Sequence, residues 1–364
     1  MTYNKKNLKI LASKAHEDDV NYMLNSSIKE LNFLSNKKII FTGGCGFIGY
    51  YFYCLITSWN KKYKNNKINY TILDSIKNKP YWLDSSKVVF IKKDITKLEG
   101  NFFSKFDIII HGASIASPTY YRKEPIKTMR ANILGLWKIL EDLKNKRRKQ
   151  TLVFFSSSEI YGDPLKNYIP TKEEYNGNVS CTGPRACYDE SKRFGETLVT
   201  NYSKIYKFNS AIIRPFNNYG PGMKLNDKRL LPDLIQNIIK NKNITLYSNG
   251  SPTRTFCYIS DAIIGYLKVI TNAKHGNIYN IGSDQPEISV IKITKLLLKI
   301  SRNLLGFNGK VKFKKSSDKD YLKDNPNRRC PNISKAKKQL KFHPKVKLDQ
   351  GLMKFLLYCV NLQK

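Results

Sequence analysis

The apolar positions between residues 37 and 214 fall into short runs that are separated by longer amphipathic stretches. The short runs are KIIF, NYTILD, VVFIKKDI, DIIIHGA, TLVFFSS and NSAIIRP. Between them lie stretches with helical spacing, such as IKTMRANILGLWKILEDLKN and ACYDESKRFGETLVTNYSKIY. Strands that alternate with helices predict an α/β fold, in which helices cover both faces of a parallel sheet.

The pattern changes on both sides of this region. In residues 1–36, apolar residues recur at helical spacing from Val20 to Leu34, which predicts a helical extension packed on the main body. After Arg214 the alternation stops and the loops lengthen, as in PFNNYGPGMKLNDKR. The predicted division is an extension over 1–36, an α/β domain over 37–214 with return segments around 255–285, and a smaller, mainly substrate-binding region over 215–364.

The stretch TGGCGFIGYYF lies between the first predicted strand of the sheet and the helix that follows it. Gly43, Gly46 and Gly49 have the spacing GxxGxxG. In a dinucleotide site one such glycine permits the tight turn, one lets a pyrophosphate approach the backbone, and one lets helix and strand pack closely. The first N–H groups of the helix, from Phe47 and Ile48, would then face the phosphates. A turn without a ligand is the alternative.

Two acidic positions extend this prediction. Asp74 ends the second predicted strand, 25 residues after Gly49, where a carboxylate would bind the adenosine ribose. An aspartate there favours NAD over NADP, because it would repel a ribose 2′-phosphate. Asp94 and Ile95, after the third strand, are candidate adenine contacts, and an ordinary turn is their alternative. Residues 37–214 are therefore expected to form a Rossmann-type, doubly wound NAD-binding domain.

The candidate reaction residues lie on the helix CYDESKRFGE and on the strand end FFSSSEIYGDP. Tyr188 and Lys192 are four residues apart and so share one face of a helix. A free tyrosine has a pKa of about 10, and a neighbouring ammonium group and a positive nicotinamide would favour the phenolate. Ser157 is placed to hydrogen-bond the same substrate hydroxyl. The alternative is an ordinary pair on a helix surface.

Composition narrows the class of protein. The net charge of +36 could attract nucleic acid, but no zinc-finger spacing, aromatic RNA-binding signature or zipper accompanies it, so nucleic-acid binding is not expected. No run approaches the roughly 18 apolar residues of a membrane span, and no secretory signal is recognised. The seven cysteines include no CxxC pair and there are only four histidines, which favours free thiols, no metal site and a cytoplasmic protein.

Together, these residues resemble the extended short-chain dehydrogenase/reductases of the NAD-dependent epimerase/dehydratase type that act on nucleotide sugars. The resemblance runs from Lys37 to the C-terminus. Ser158 and Glu159 follow Ser157 where sugar 4,6-dehydratases carry an Asp-Glu pair, so dehydration is disfavoured. The stretches most similar to UDP-glucuronate decarboxylases are GNVSCTGPRACYDESKR, RPFNNYGPGM, GSPTRTFCYISDAI and DNPNRRCPNISKAKKQL.

The resemblance implies decarboxylation of UDP-glucuronate to UDP-xylose with NAD recycled. Tyr188, with Ser157 and Lys192, would assist oxidation at C4, and the ketone formed there would stabilise the enolate left when CO₂ departs. Ser158 and Glu159 would position the sugar around its C5 carboxylate. A 4-epimerase or a 4,6-dehydratase acting on another nucleotide sugar is the alternative, as is a non-catalytic relative that uses the fold as a binding platform.

The resemblance also implies substrate contacts. Arg329 would lie near the carboxylate, Asn217 and Arg254 would hold the diphosphate, and Tyr121 would belong to the sugar loop. A homodimer through the YxxxK helix and IKTMRANILGLWKILEDL is expected. RRCPNI in place of KRKPDI, RPFNNYGP in place of RIFNTYGP, and the extension are departures that fit a side branch with another substrate. The implied substrate-binding residues are Tyr121, Glu159, Arg185, Asn217, Arg254 and Arg329.

Overall fold

A seven-stranded parallel sheet forms the centre of the protein, in a computed structural model that describes residues 5–144, 150–274, 276–318, 320 and 323–362. All six predicted strands are present, and a seventh, after residue 275, joins the sheet beside the sixth. The strands of this sheet are β1 (Lys38–Thr42), β2 (Asn69–Asp74), β3 (Val89–Lys92), β4 (Ile108–His111), β5 (Thr151–Phe155), β6 (Asn209–Pro215) and β11 (Asn277–Ile281).

The order of the strands places the ligand crevice. Across the sheet they run β11, β6, β5, β4, β1, β2, β3, and every neighbouring pair is parallel. The chain therefore winds outward in both directions from the junction of β1 and β4. In doubly wound sheets ligands bind at such a junction, beyond the carboxyl ends of the strands. The predicted fold class is confirmed.

Helices cover both faces, because successive side chains of each strand point to opposite sides. Ile108 and Ile110 of β4 join the larger core, whereas Ile109 joins a second core against the helices that precede and follow β5. No helix in the described part of the chain is long and apolar enough to cross a membrane. The helices are α1 (Lys5–Ser26), α2 (Ile28–Leu34), α3 (Phe47–Lys62), α4 (Pro118–Lys123), α5 (Pro125–Lys144), α6 (Ala186–Tyr206), α7 (Leu230–Ile239), α8 (Ile259–Thr271), α9 (Val290–Leu305), α10 (Ser334–Leu340) and α11 (Leu348–Asn361).

Short strands after residue 215 build the rest of the crevice. They form two pairs of strands and one three-stranded sheet. Because β11 and α8 from this part of the chain pack with the central sheet, the return segment around 255–285 contains elements of the larger unit. The domain boundaries themselves remain a prediction. These strands are β7 (Asn218–Tyr219), β8 (Ile244–Leu246), β9 (Thr253–Arg254), β10 (Cys257–Tyr258), β12 (Ile288–Ser289), β13 (Val311–Phe313) and β14 (Arg328–Arg329). β7 pairs with β10, β8 pairs with β13, and β9 lies between β12 and β14.

The extension is helical, but it is divided in two. The helical turn breaks at Ser27, and Ile28, which was expected on the buried face, is 44% exposed. The other residues of the pattern are buried in the larger core: Val20, Met23, Leu24, Leu31 and Leu34. α1 begins at Lys5, well before the apolar stripe, and packs on α3, α8 and α11. Residues 1–4 of the predicted extension lie outside the described residues.

Candidate active site

A cleft of about 1650 Å³ opens beyond the carboxyl ends of the central strands. Its floor is formed by the ends of β1, β2, β4, β5 and β6. The opposite wall is formed by the loop before α7 and the first turn of that helix, the segment 245–248 and the strands β9 and β14. Every candidate residue from the sequence lines this cleft except Tyr121. The fold therefore brings together residues as far apart along the chain as Gly43 and Arg329.

The glycine turn has the geometry that the spacing predicts. Gly43 has a φ of +75°, and its N–H donates to the Leu73 carbonyl at 2.7 Å. A Cβ atom at Gly43 would lie 2.6 Å from the Ala113 Cα, and one at Gly49 would lie 2.1 Å from the Gly44 oxygen. Neither position can therefore carry a side chain without displacing backbone. These two glycines permit the turn and the close start of α3.

The third glycine lies at the N-terminus of α3. Gly46 is the N-cap residue and provides no side-chain cap, so the first N–H groups of the helix, at Phe47 and Ile48, are not capped by a side chain of their own turn. All three residues line the cleft. A helix N-terminus with exposed N–H groups and a partial positive charge suits a phosphate group. This is the expected arrangement for the pyrophosphate of a dinucleotide.

The aspartate at the end of β2 is held above this turn. Asp74 Oδ2 accepts from the Cys45 N–H at 2.9 Å, and Oδ1 accepts from the Ile76 N–H at 3.2 Å. Burial raises the pKa of Asp74, although these backbone donors oppose the shift. The residues present therefore fit NAD: glycines where a Cβ would clash, uncapped N–H groups, and a fixed carboxylate at the end of the second strand. Cys45 is an additional wall residue that the motif did not single out.

Asp94 and Ile95 lie in the same cleft but have evident local roles. Asp94 Oδ1 accepts from both the N–H and the hydroxyl of Thr96, at 2.9 Å each, and so caps its own short turn. The Ile95 side chain is buried in the core against Gly135. Both residues have a surface that faces the cleft and could contact an adenine. This contact remains a prediction.

The reaction pair is buried where β5 ends beneath α6. Ser157 lies beside Tyr188, where its hydroxyl lowers the pKa of the phenol, and Ser157 Oγ accepts from the Glu159 N–H at 3.2 Å. Lys192 Nζ lies 5.9 Å from the centre of the Tyr188 ring and donates to the Phe155 carbonyl at 2.8 Å. The three predicted residues are thus brought together, with the lysine anchored by backbone below the tyrosine.

The electrostatics of this pair differ from the expectation. Burial raises the pKa of Tyr188 to about 12, and the Ser157 hydroxyl only partly opposes this. Burial likewise lowers the pKa of Lys192 to about 7, while nearby Glu196 raises it. Desolvation, rather than the lysine charge, dominates in the free site. Lys192 consequently has a pKa suited to proton exchange near neutrality.

A group of charged side chains surrounds Glu159 at the start of the turn after β5. Its carboxylate is bound by Arg185 Nη2 and, at 2.5 Å, by Arg329 Nη2. Burial alone would raise the pKa of Glu159, but Arg185, Arg329 and Arg254 together lower it. Arg185 Nε also lies 3.5 Å from Asp189 Oδ2. Ser158, beside Glu159, is buried and lines the cleft.

The two residues expected at the diphosphate lie on separate segments of the cleft wall, Asn217 just before β7 and Arg254 on β9. Asn217 has a φ of +39°, and its Nδ2 donates to the Thr255 carbonyl at 2.9 Å. Arg254 Nη2 donates to the Pro326 carbonyl at 2.5 Å, and burial lowers the pKa of this arginine to about 9. Both side chains are thus held in fixed directions along one wall of the cleft. Their role toward a diphosphate stays a prediction.

Tyr121 is not at the cleft surface. It is 1% exposed and stacks face to face on the Tyr188 ring, with centroids 4.9 Å apart and planes 8° from parallel. The neighbouring Tyr120 lines the cleft instead, and its hydroxyl donates to the Asn226 carbonyl at 2.8 Å. α4 therefore presents Tyr120 to the cleft and packs Tyr121 behind Tyr188. Tyr121 thus packs against the predicted catalytic tyrosine, and its role toward the sugar stays a prediction.

Several cationic residues of the cleft were missed by the sequence reasoning, and Arg229 is the one whose charge acts on Tyr188. Arg229 lines the cleft near Tyr188, where its charge lowers the pKa of the phenol without outweighing burial. It is paired with Asp227. The only sequence signal for Arg229 was that it is a basic residue in the lengthened loop PFNNYGPGMKLNDKR. Such a signal predicts neither the direction of the side chain nor the groups that it contacts. No group of three or more His, Cys, Asp or Glu side chains that could hold a metal occurs among the described residues.

The sequence pattern of the NAD dependent epimerase/dehydratase family matches residues 39–282. The chain therefore belongs to this family. Among curated proteins it is similar to UDP-glucuronic acid decarboxylase 6 of Arabidopsis thaliana, with 35% identity over 88% of this chain and 88% of that protein. It is also similar to UDP-glucuronic acid decarboxylase 1 of Xenopus tropicalis, with 33% identity over 91% of this chain and 74% of that protein.

Solved structures support the same fold. The UDP-glucuronic acid 4-epimerase of Bacillus cereus, solved with UDP-glucuronic acid and NAD, is 27% identical, with a TM-score of 0.70 over 88% of this chain and 98% of that chain. The UDP-glucose 4-epimerase of Thermotoga maritima is 22% identical, with a TM-score of 0.75 over 88% of this chain and 98% of that chain. The second likeness concerns the fold alone.

Proposed function

We propose that the protein decarboxylates UDP-glucuronate to UDP-xylose and recycles NAD. The observation that carries the proposal is the position of Glu159, bound by Arg185 and Arg329, directly beside the Ser157–Tyr188 pair. A sugar hydroxyl at Tyr188 would place a carboxylate on the same ring close to these guanidinium groups. The similarity to UDP-glucuronic acid decarboxylases over most of the chain supports the same substrate.

Tyr188 is the proposed proton acceptor for the sugar hydroxyl. Ser157 orients that hydroxyl by bonding on the same side as the phenol. Lys192, with a pKa of about 7, provides a nearby group that can supply or withdraw positive charge as the phenol changes its protonation state. NAD held at the glycine turn would supply a hydride acceptor that returns the hydride at the end of the cycle.

The group around Glu159 is the proposed means of handling the sugar carboxylate. Guanidinium groups bind carboxylates through directed pairs of N–H donors. Here the Glu159 carboxylate already engages Arg185 and Arg329, so a second carboxylate would meet a site with both attraction and repulsion. Loss of neutral CO₂ would move the negative charge from the carboxylate to the enolate oxygen at C4, and protonation at C5 would then neutralise it, so that the site returns to its own paired state. Ser158 adds a hydroxyl beside Glu159.

A 4-epimerase acting on UDP-glucuronate is the second candidate. The solved 4-epimerase with bound UDP-glucuronic acid and NAD, at 27% identity and a TM-score of 0.70, favours it over dehydration. Both reactions need the same oxidation at C4. They differ in whether the carboxylate is retained.

The test is to incubate the purified protein with NAD and UDP-glucuronate and to follow nucleotide sugars by mass spectrometry. We expect loss of the mass of CO₂ without net NADH. Tyr188→Phe should lower the rate about 100- to 10,000-fold, the range for loss of a proton-transfer group. Tyr279→Phe is the control, because the Tyr279 hydroxyl lies away from the cleft. It donates to Gln339 Oε1 at 2.8 Å. A product of unchanged mass that is inverted at C4 would contradict decarboxylation and support the epimerase.

We also propose a homodimer formed through α5 and α6. Large apolar side chains are exposed on these adjacent helices, including Leu134 and Trp137 on α5 and Phe194 and Ile205 on α6. Burying such a patch against a second copy would remove apolar surface from water.

All seven cysteines are free thiols, which is consistent with a reducing, cytoplasmic compartment.

A further inference from the structure

A buried carboxylate outside the cleft joins three elements of the fold. Asp19, on α1, is 1% exposed. Its Oδ2 accepts from the Tyr258 hydroxyl at 2.5 Å, and its Oδ1 pairs with Lys354 Nζ at 2.5 Å. Tyr258 belongs to β10 and Lys354 to α11. Burying a charged group costs several kcal/mol unless directed partners offset it, so an apolar residue would attach the helix with less difficulty. What the carboxylate adds is direction.

The direction given to Tyr258 is passed on to the cleft wall through backbone. β10 pairs in parallel with β7, and the Cys257 N–H donates to the Asn217 carbonyl at 3.2 Å. The Asn217 side chain in turn donates to the Thr255 carbonyl at 2.9 Å. Arg254 precedes Thr255 and belongs to β9, which pairs with β12 and β14 instead. Of the two candidate diphosphate residues, Asn217 is therefore the one bonded to the strand pair that Asp19 contacts through Tyr258.

The remaining polar contacts of the extension go elsewhere. The Tyr22 hydroxyl donates to Asp261 Oδ1 at 2.8 Å, and Glu30 pairs with Lys268 at 3.1 Å. Asp261 and Lys268 both lie on α8. These bonds attach α1 and α2 to the body without involving the β7–β10 pair. Only the Asp19–Tyr258 bond, among those described, runs from α1 to the strand pair beside Asn217.

We propose that Asp19 is a positioning residue for the nucleotide half of the substrate: by fixing Tyr258, it sets the β7–β10 pair to which Asn217, a candidate diphosphate residue, is bonded. The described part of α1 does not line the cleft, so its effect on the substrate is indirect. The inference rests on the proposed function, in which the cleft binds a uridine diphosphate sugar. It gives the extension a part in substrate affinity beyond attachment.

The test compares two Tyr→Phe variants in the full chain. Tyr258→Phe removes the hydroxyl that bonds Asp19, and Tyr22→Phe removes a hydroxyl that bonds α1 to α8. Dissociation constants for UDP and for NAD are measured by titration calorimetry, with the melting temperature as the check on stability. We expect Tyr258→Phe to raise the Kd of UDP by roughly 2- to 10-fold, the effect of one hydrogen bond, with the Kd of NAD unchanged. Tyr22→Phe should lower the melting temperature without changing either Kd.

Substitutions of the carboxylate complete the cycle. Asp19→Asn keeps an oxygen acceptor and should retain UDP affinity. Asp19→Leu should raise the Kd of UDP as much as Tyr258→Phe does, and combining the two substitutions should raise it no further. Equal effects of the two Tyr→Phe variants, or a parallel loss of NAD affinity, would show general loosening and overturn the proposal. If the wild type binds UDP and Tyr258→Phe binds it equally well, the inference alone fails. If the wild type does not bind UDP, the proposed function fails as well. Should Asp19→Leu not fold, the other variants still decide.

Discussion

Between Gly43 and Asp74 the cleft presents backbone N–H groups and one carboxylate, whereas around Glu159 it presents the guanidinium groups of Arg185, Arg254 and Arg329. We refer to these as the glycine end and the arginine end. The glycine end is made by one strand-turn-helix unit and the strand after it, so its shape is local. The arginine end is assembled from four separate segments, so its shape depends on the whole fold. A ligand at the first end is recognised mainly by backbone, and a ligand at the second by charge.

The largest expected effect is at the arginine end. Arg329→Met leaves Glu159 buried with one partner fewer, and we expect the free energy of unfolding to fall by about 3 kcal/mol, the lower part of the range for a broken buried pair, because Arg185 remains. The KM for UDP-glucuronate should rise while the Kd of NAD stays constant. Chemical denaturation and steady-state kinetics measure the two effects.

A neighbouring residue provides a matched control for this substitution. Arg328 pairs with Glu287 at 2.7 Å, but its side chain is 40% exposed, against 10% for Arg329. Exposed pairs contribute at most about 1 kcal/mol, so Arg328→Met should be mild and should leave the KM unchanged. Equal losses in the two variants would show that burial around Glu159 does not set the arginine end apart.

At the glycine end the expected effect is steric. Gly43→Ala places a Cβ 2.6 Å from the Ala113 Cα and also strains a φ of +75°. Gly100→Ala strains a φ of +63°, but its Cβ would meet nothing within 4 Å. The strain common to both costs roughly 1–2 kcal/mol. We expect Gly43→Ala to lose more stability than Gly100→Ala, together with NAD affinity, and UDP affinity should be spared. Comparable unfolding energies for the two variants would refute the crowding argument.

The smallest expected effect concerns Asp189, beside the arginine end. Burial, with repulsion from Glu159, raises the pKa of Asp189 to about 7, from an ordinary value near 3.8. The native state then binds more protons than the unfolded state between these two values, so this group makes stability fall as pH rises through that window. Asp189→Asn should therefore gain about 1 kcal/mol of stability relative to the wild type as the pH rises from 6 to 7. Urea unfolding at the two pH values measures it, and a constant difference would argue against the raised pKa.

The two ends also differ in how far the sequence predicts them. The six apolar runs, the glycine spacing and Asp74 predict the sheet and the glycine end, because strand, turn and helix are set by residues close together in the chain. Tyr188 and Lys192 are likewise paired by helical spacing. The contacts of Glu159 with Arg185 and Arg329 span 26 and 170 positions. Resemblance alone suggested these residues as substrate contacts, and nothing in the sequence predicted that they pair with one another. The burial that raises the pKa of Tyr188, and the packing that turns Tyr121 away from the cleft, follow from tertiary structure and carry no local signal.

The attachment of α1 also bears on the order in which the protein folds. Tyr22 and Asp261 are 239 positions apart, and Asp19 and Lys354 are 335 apart. Contacts of such separation close long loops and form slowly compared with local ones. During synthesis α1 leaves the ribosome long before α8 and α11, so the part of its apolar face that packs on these two helices stays uncovered until most of the chain has been made. The helix is thus among the early elements to be synthesised and among the late ones to reach its final place.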